Sequence, residues 1–408
     1  MLWKNPQQIS IKGLGRYCIR VSMPGETLKK TLLFVIVFSL VVGAVFLSGC
    51  LQQEGSGSVV LAQPGPVKLR IGALLDLTGK GASYGNDARD AALLAVEDLR
   101  KTQKSLEVEL LFEDSQSEDL QAVNSAKKLL EIDGIRVILG PVRSNEVLAV
   151  APLTEAKKAI LFTFVASADE ITNAGDFVFR NRETGSLHGE KIAEFIKSNG
   201  IDAVAVLSAQ SANSKTYASS FVQKFEALGG KIAKTIEYNE NLKDFKSEIV
   251  KALEANPKVL YVSPATDSDG IILIRQIKEF GFKGLIAGAP GLDSQAFLQS
   301  GVSEGVVITS PFFDSENTAV KEFSRRFEER FGRKPAFYTA NAYDAVMLLG
   351  AAALECKGDE NTECLRDFLY NVKNYEGLGG LTTFDGKGDV IKPVMVKKAV
   401  NGKFERLE

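Results

Sequence analysis

The sequence predicts an α/β protein of two lobes, each built on a parallel sheet with helices on both faces. Two observations carry this. Apolar runs of strand length alternate with stretches of helical spacing from Lys68 to Phe164, and again, after a polar loop, from Ser186 to Ala287. At 408 residues the chain is also too long for one ordinary domain.

The first unit, Lys68 to Arg100, sets the pattern. Leu69, Ile71 and Ala73 to Leu75 read as a buried strand, and Gly79, Gly81 and Gly85 as an open loop. Ala91, Leu94, Ala95 and Leu99 then step at helical spacing. Ligands of parallel sheets bind at the carboxyl ends of the strands, which is where Tyr84 falls. The glycine spacing, G-x-G-x-x-x-G, is one residue longer than the dinucleotide fingerprint, so no cofactor is expected. A tight turn that only packs is the plainer use of these glycines.

The later elements follow in order. Strands are expected at Leu106 to Phe112, Val137 to Leu139 and Ile160 to Phe164, with helices at Asp119 to Leu130 and Ser144 to Lys157. The second series places strands at Ala203 to Leu207, Lys231 to Tyr238, Val259 to Val262 and Leu285 to Ala287. Its helices are Ser186 to Ser198, Tyr217 to Leu228, Phe245 to Leu253 and Ser268 to Phe280. Helices Asn317 to Phe331, Tyr338 to Leu354 and Glu363 to Val372 come next, then short strands Thr382 to Phe384 and Val394 to Ala399. The first series is too short to close a lobe alone, so the late helices are expected to complete it. The expected division is 68–183 plus 314–378 for the first lobe and 184–313 plus 379–408 for the second, with several crossings acting as a hinge.

The amino end carries an address. Lys29 and Lys30 precede the apolar run Thr31 to Leu47, and Leu47-Ser48-Gly49-Cys50 follows. A basic flank, an apolar core and small residues describe an export signal. The Cys resembles that of a lipobox, which implies lipidation at Cys50 and a protein outside the cytoplasm on the outer face of the cytoplasmic membrane. An uncleaved anchor helix is the alternative. Residues 1–50 are thus leader, signal and lipobox, with translation expected from Met23, and 51–67 form a flexible Gly/Ser/Pro tether.

Composition excludes several functions. A net charge of −2 gives no electrostatic case for nucleic acid. One histidine, His188, removes most metal sites and His-based catalysis, and it is expected on a helix face. The serine-rich stretch Ser208 to Ser220 has no G-x-S-x-G elbow, so no enzyme is expected. There is also no G-x-x-x-x-G-K-[ST] phosphate loop. Cys356 and Cys364 flank a short polar loop and are expected to form a disulfide, worth about 2–3 kcal/mol.

The motifs Gly72-Ala-Leu-Leu-Asp-Leu-Thr-Gly79, Tyr84-Gly85, Ala95-Val-Glu-Asp98, Val137-Ile-Leu-Gly-Pro141, Ala166-Ser-Ala168, Ile274-Arg-Gln276 and Phe384-Asp-Gly-Lys-Gly-Asp389 appear in that order. With the lipobox they make the chain resemble the leucine/isoleucine/valine-binding family of ABC-transporter solute receptors, the type I periplasmic binding proteins. The resemblance covers residues 68–399. It implies two Rossmann-like lobes with parallel-sheet cores, joined by a multi-strand hinge and closing on a ligand.

It also implies a site. Ser144, Val165 or Ala166, and Ser167 match the positions that hold an amino-acid carboxylate; Tyr84 and Tyr217 match the covering aromatics; Thr266 and Asp267 fall at the second lobe's ligand loop. Each has a plainer reading: Ser144 a helix cap, Ser167 a turn serine, the tyrosines surface residues, Thr266 to Asp269 a capping run. At Ser144 the physics agrees with the resemblance, because a helix N-terminus offers free N–H groups and a favourable dipole to an anion. The sequence departs from the family at Pro290, where an acidic residue would hold the ligand's ammonium. Asp293 and Asp267 lie near enough to substitute. The ligand implied is a small amino acid, a related carboxylate without an amine, or a neutral amide. The partners implied are ABC permease and ATPase subunits. A sensor of the same fold, reporting to a partner protein, is the alternative function.

Overall fold

The computed structural model describes residues 65–240 and 242–407, together with the paired dipeptides Ile9–Ser10 and Arg20–Val21. The signal run, Cys50 and most of the tether lie outside the described residues.

The chain opens with β1 (Val67–Leu75), α1 (Ala82–Thr102), β2 (Leu106–Asp114), α2 (Asp119–Lys127), β3 (Val137–Leu139), α3 (Ser144–Ala156), β4 (Ile160–Thr163) and β5 (Val178–Arg180). The strands form one parallel sheet in the order β2-β1-β3-β4-β5. The two-residue period of β1 sorts its side chains between two cores. Leu69, Ile71, Ala73 and Leu75 pack toward α1, while Leu74 packs with Ala122 of α2 and Val147 of α3. The glycine loop after β1 is held by close contact. A Cβ on Gly79, whose φ is +82°, would lie 2.3 Å from the Gln116 carbonyl oxygen, and one on Gly85 would lie 2.0 Å from that of Asp76.

A second sheet follows, from α4 (Gly185–Ser198), β6 (Ala203–Ala209), α5 (Ala212–Ala227), β7 (Lys231–Tyr238), α6 (Lys246–Leu253), β8 (Val259–Ser263), α7 (Asp267–Glu279), β9 (Leu285–Gly288), α8 (Gln295–Gln299) and β10 (Val307–Pro311). The chain then returns to the first lobe with α9 (Thr318–Phe331), α10 (Phe337–Cys356), α11 (Thr362–Tyr370) and the hairpin β11 (Tyr375–Gly377) and β12 (Gly380–Thr382). Phe323, Phe327, Leu348, Leu349 and Leu365 close the α1 side of the first core. Cys356 and Cys364 are joined by a disulfide between α10 and α11. Finally β13 (Val394–Val400) and β14 (Lys403–Arg406) add antiparallel to the second sheet, whose order is β14-β13-β10-β9-β8-β6-β7.

Several expected boundaries move. Residues 379–390 join the first core rather than the second, because Phe384 packs edge-on against Phe162 and Phe179 and is fully buried there. The expected strand at Thr382 to Phe384 is the short arm β12, which ends at Thr382. Helix α5 begins at Ala212, five residues before Tyr217. Strands β5 and β10 lie outside the expected set. A three-residue strand is too short to display alternation. β10 ends in Pro311, a residue that argues against an interior strand; here it stands opposite Val394 at the strand's end.

Three segments cross between the lobes: 181–184, 312–317 and 391–393. The second and third are bonded directly, and Asn341 of α10 links the first to the third. The Phe312 amide donates to the Pro393 carbonyl at 3.1 Å. The Asn181 side chain donates to the Asn341 carbonyl at 2.8 Å, and the buried Lys392 ammonium donates to Asn341 Oδ1 at 3.3 Å and to the Gly379 carbonyl at 3.0 Å.

Candidate functional site

Both lobes have the strand order 2-1-3-4-5, which reverses direction between the first and third strands of the lobe. Loops at such a switch point splay apart and leave a crevice at the carboxyl ends of the strands. Here the two crevices face each other. The loops after β1, β3 and β4 meet those after β6, β8 and β9 around a narrow cavity of about 50 Å³.

Eight of the nine positions expected at the ligand line this cavity: Tyr84, Ser144, Val165, Ala166, Ser167, Tyr217, Thr266 and Pro290. Asp267 does not. It is the first residue of α7, where its carboxylate accepts the Ser268 amide at 2.8 Å.

The first lobe's wall is a network of donors and acceptors. Ser144 opens α3, and its Oγ accepts the amides of Ser167 and Ala168, both at 3.1 Å. This fixes the loop after β4 against the α3 N-terminus and leaves the Ser144 hydroxyl hydrogen for a further acceptor. The Ser167 hydroxyl is hydrogen-bonded to the Tyr217 phenol across the cleft. Beneath α3, Glu146 is fully buried beside Asp76, which accepts the hydroxyls of Ser115 at 3.0 Å and Ser117 at 2.7 Å. Burial and the neighbouring Asp76 push the Glu146 carboxyl up to about 9, so it holds a proton at neutral pH.

The second lobe's wall is plainer. Thr266 Oγ1 accepts the amide of Asp269 at 3.3 Å, as a local cap of α7. Pro290 opens a short 3₁₀ turn and offers no donor. Asp293 is already engaged, accepting from Ser310 and lying 3.2 Å from the Lys397 ammonium.

Side chains from each lobe reach the other. The Tyr84 hydroxyl lies 3.5 Å from the Gly291 carbonyl, and its ring packs on Tyr338 at 4.8 Å. Burial, then Asp267, raises the Tyr84 phenol well above its ordinary range; burial likewise raises Tyr217. Both therefore remain hydroxyl donors. Arg143 pairs with Glu240 across the cleft, and Asn145 Oδ1 accepts the Ala212 amide at the start of α5 at 2.8 Å.

Eight wall residues lie outside the expected set, among them Arg143, Asn213, Arg182 and Phe337. Arg182 lies on the first crossing and is 4% exposed. Its Nη1 donates to the Val165 carbonyl at 2.7 Å, its Nη2 donates to the Tyr217 hydroxyl at 3.2 Å, and the guanidinium lies 5.0 Å from the Phe337 ring centre. The one available signal was charge: Arg180-Asn181-Arg182-Glu183 sets three ions at the end of a strand and in the link that follows it.

His188 lies on the buried face of α4. Its Nε2 bonds Glu183 Oε1 at 2.6 Å, and burial lowers its pKa, so the ring is neutral and donates this bond at pH 7. It does not line the cavity. Among the described residues no group of His, Cys, Asp and Glu has the arrangement of a metal site.

Two hinged α/β lobes whose switch points face one another across a polar cavity define a solute-binding protein of the cleft type. The chain belongs to the periplasmic binding protein family, whose model matches residues 68–403. It is 26% identical over 347 residues to the Leu/Ile/Val-binding protein homolog 3 of Brucella melitensis, covering 83% of this chain and 94% of that one. It is 26% identical over 328 residues to the leucine-, isoleucine-, valine-, threonine- and alanine-binding protein of Pseudomonas aeruginosa, covering 79% and 87%. A solved leucine-binding protein of Thermotoga maritima superposes with a TM-score of 0.78 at 27% identity, covering 83% of this chain and 98% of its own.

Proposed function

We propose that this chain is the extracytoplasmic solute-binding component of an ABC importer. It captures a small amino acid or related carboxylate between its lobes, closes, and delivers the solute to a membrane permease driven by a separate ATPase. The observation that carries this reading is the convergence of six strand-end loops, three from each lobe, on one cavity beside the crossings. The names of the similar proteins, which bind branched-chain and other small amino acids, support the ligand class. Ser144 and the α3 N-terminus are the proposed grip on the carboxylate, with Tyr84, Ser167, Tyr217 and Thr266 around the rest. The N-terminal dipole contributes about 0.3–1 kcal/mol to an exposed anion and up to about 2 kcal/mol to a partly buried one.

Closure is a population shift: a ligand that touches both walls favours the conformation in which they meet. Binding ends there, because no nucleophile and base meet in the cavity among the described residues, and the chain is not an enzyme in this reading. A lipid at Cys50 anchors the protein to the outer face of the membrane. Among the described residues no helix is long and apolar enough to cross one.

Thermal unfolding of the purified protein against a panel of amino acids, aliphatic and aromatic acids and short amides tests the reading. A true ligand at 100 times its Kd adds about 2.7 kcal/mol of stability. A panel with no upward shift at millimolar concentration overturns it.

A further inference from the structure

The cavity wall carries two arginines, Arg143 and Arg182, and no carboxylate among its described residues. The two cations are not equivalent. Arg143 is already paired with Glu240 and donates to the Ser117 carbonyl at 2.9 Å. Arg182 is buried, and its Nε has no hydrogen-bond partner. The nearest carboxylate oxygen is Glu183 Oε1, 3.5 Å from Nε, and that oxygen accepts the His188 hydrogen bond. Glu183 is not on the cavity wall. The guanidinium thus meets the cavity bound there by a neutral carbonyl, a phenol and an aromatic face, and its one nearby counter-charge, Glu183, lies off the wall.

An ammonium group in the same space meets the opposite situation. Pro290 lines the wall where the family resemblance places an acid, and it carries no charge. Asp293 is held by Lys397 and Ser310, Asp267 is off the wall and bonded to its own helix, and Glu240 is spent on Arg143. A cation entering this cavity is desolvated beside a guanidinium with no carboxylate on the wall to pair it, an arrangement that buried charges do not tolerate.

We propose that the physiological ligand is a small carboxylic acid with an apolar body and no charged amine, and that Arg182 supplies its counter-charge. This rests on the solute-binding reading above and narrows its ligand. The carboxylate lies between the Arg182 guanidinium and the Ser144 hydroxyl. The apolar body lies against Tyr84, Phe337, Val142 and Pro290. Because Arg182 sits on a crossing between the lobes, the bond it makes to the ligand ties charge recognition to the hinge.

The test is calorimetric titration of the purified protein with matched pairs: leucine and 4-methylpentanoate, alanine and propionate, phenylalanine and 3-phenylpropionate. In a pair that binds, the acid without the amine is expected to be at least about tenfold tighter. Arg182→Gln is expected to weaken that acid by about tenfold or more and to leave its discrimination between apolar bodies intact. The wild-type comparison stands even if the variant fails to fold. An amino acid that binds as tightly as its deaminated partner overturns this inference and leaves the solute-binding reading standing. Unchanged acid affinity in folded Arg182→Gln also overturns it. The absence of binding by every member of every pair, with no hit in the thermal panel, overturns both.

Discussion

Two hydroxyls that look alike in sequence, Ser144 and Thr266, do different work on the two walls of the cleft. Each stands at the start of a helix that follows a strand. Thr266 serves its own helix, accepting the Asp269 amide within one turn. Ser144 serves another element: it accepts two amides from the loop after β4 and thereby holds that loop against the α3 N-terminus. The difference extends to the surroundings. Arg182 and the α3 dipole stand by the first wall, while the second offers Asn213, Tyr217 and Thr266 beside Ala265, Pro290 and Gly291. In the proposed reading the first wall holds the ligand's negative group, and the second meets it with Tyr217 and Thr266 already engaged in bonds of their own.

The largest expected effect lies beneath the first wall. Glu146 is buried with a carboxyl pushed up to about 9, against an ordinary value of 4.5. Because the folded pKa is above the unfolded one, its contribution to stability is fully present below about pH 4.5 and is lost as pH rises toward 9. The slope of that loss is about 1.4 kcal/mol per pH unit. Glu146→Gln removes the titration. Denaturant unfolding from pH 5 to pH 9 is expected to show wild type losing stability relative to the variant across this window. Parallel curves would mean that the first wall stands on no buried proton. Asp344, which burial pushes up to about 6, is present in both proteins and cancels from the difference.

Next in size is Ser144→Ala. Ligand affinity is expected to fall by about 1–2 kcal/mol if its hydroxyl donates to a carboxylate. The melting temperature falls as well, because the Ser167 and Ala168 amides lose their acceptor. Calorimetry separates the two effects: a lower melting temperature with unchanged affinity makes Ser144 a tie between loops and nothing more. Pro290→Asp sharpens the contrast from the other side. It puts a carboxylate on the plain wall, and is expected to move preference toward an amino acid over its deaminated partner by about 1–3 kcal/mol, the range for a charged hydrogen bond. An unaltered ratio would show that position 290 does not face the ligand's second carbon.

Much of this was legible in the chain. Apolar runs of strand length and stretches of helical spacing disclosed the strands and helices, the rule that parallel sheets bind at their carboxyl ends pointed to Tyr84, and the family resemblance pointed to Ser144, Ser167 and Tyr217. Two things were not legible, for physical reasons. Burial of a charge is a property of packing: Arg182 lies in a polar link and becomes part of a wall only because Val165, Tyr217 and Phe337 pack against it. Long-range return of the chain is equally silent. Phe337 looks like the first turn of a long helix, and it reaches the cavity because α10 completes a lobe begun more than two hundred residues earlier. The same holds for Asp293, whose engagement by Lys397 depends on β13, the strand added antiparallel near the end of the chain.

The smallest expected effect completes the comparison. Thr266 lines the cavity as Ser144 does, but its oxygen accepts from its own helix. Thr266→Ala is therefore expected to lower stability by about 1 kcal/mol, the usual worth of an N-cap. The loss falls on the start of α7, where Asp267 and Asp269 already favour the helix dipole and soften it. Ligand affinity is expected to stay within about twofold, well under 1 kcal/mol. Set beside Ser144→Ala, the pair separates a hydroxyl that caps from one that grips. If Thr266→Ala costs as much affinity as Ser144→Ala, the two walls share the polar work and the asymmetry between them is only apparent.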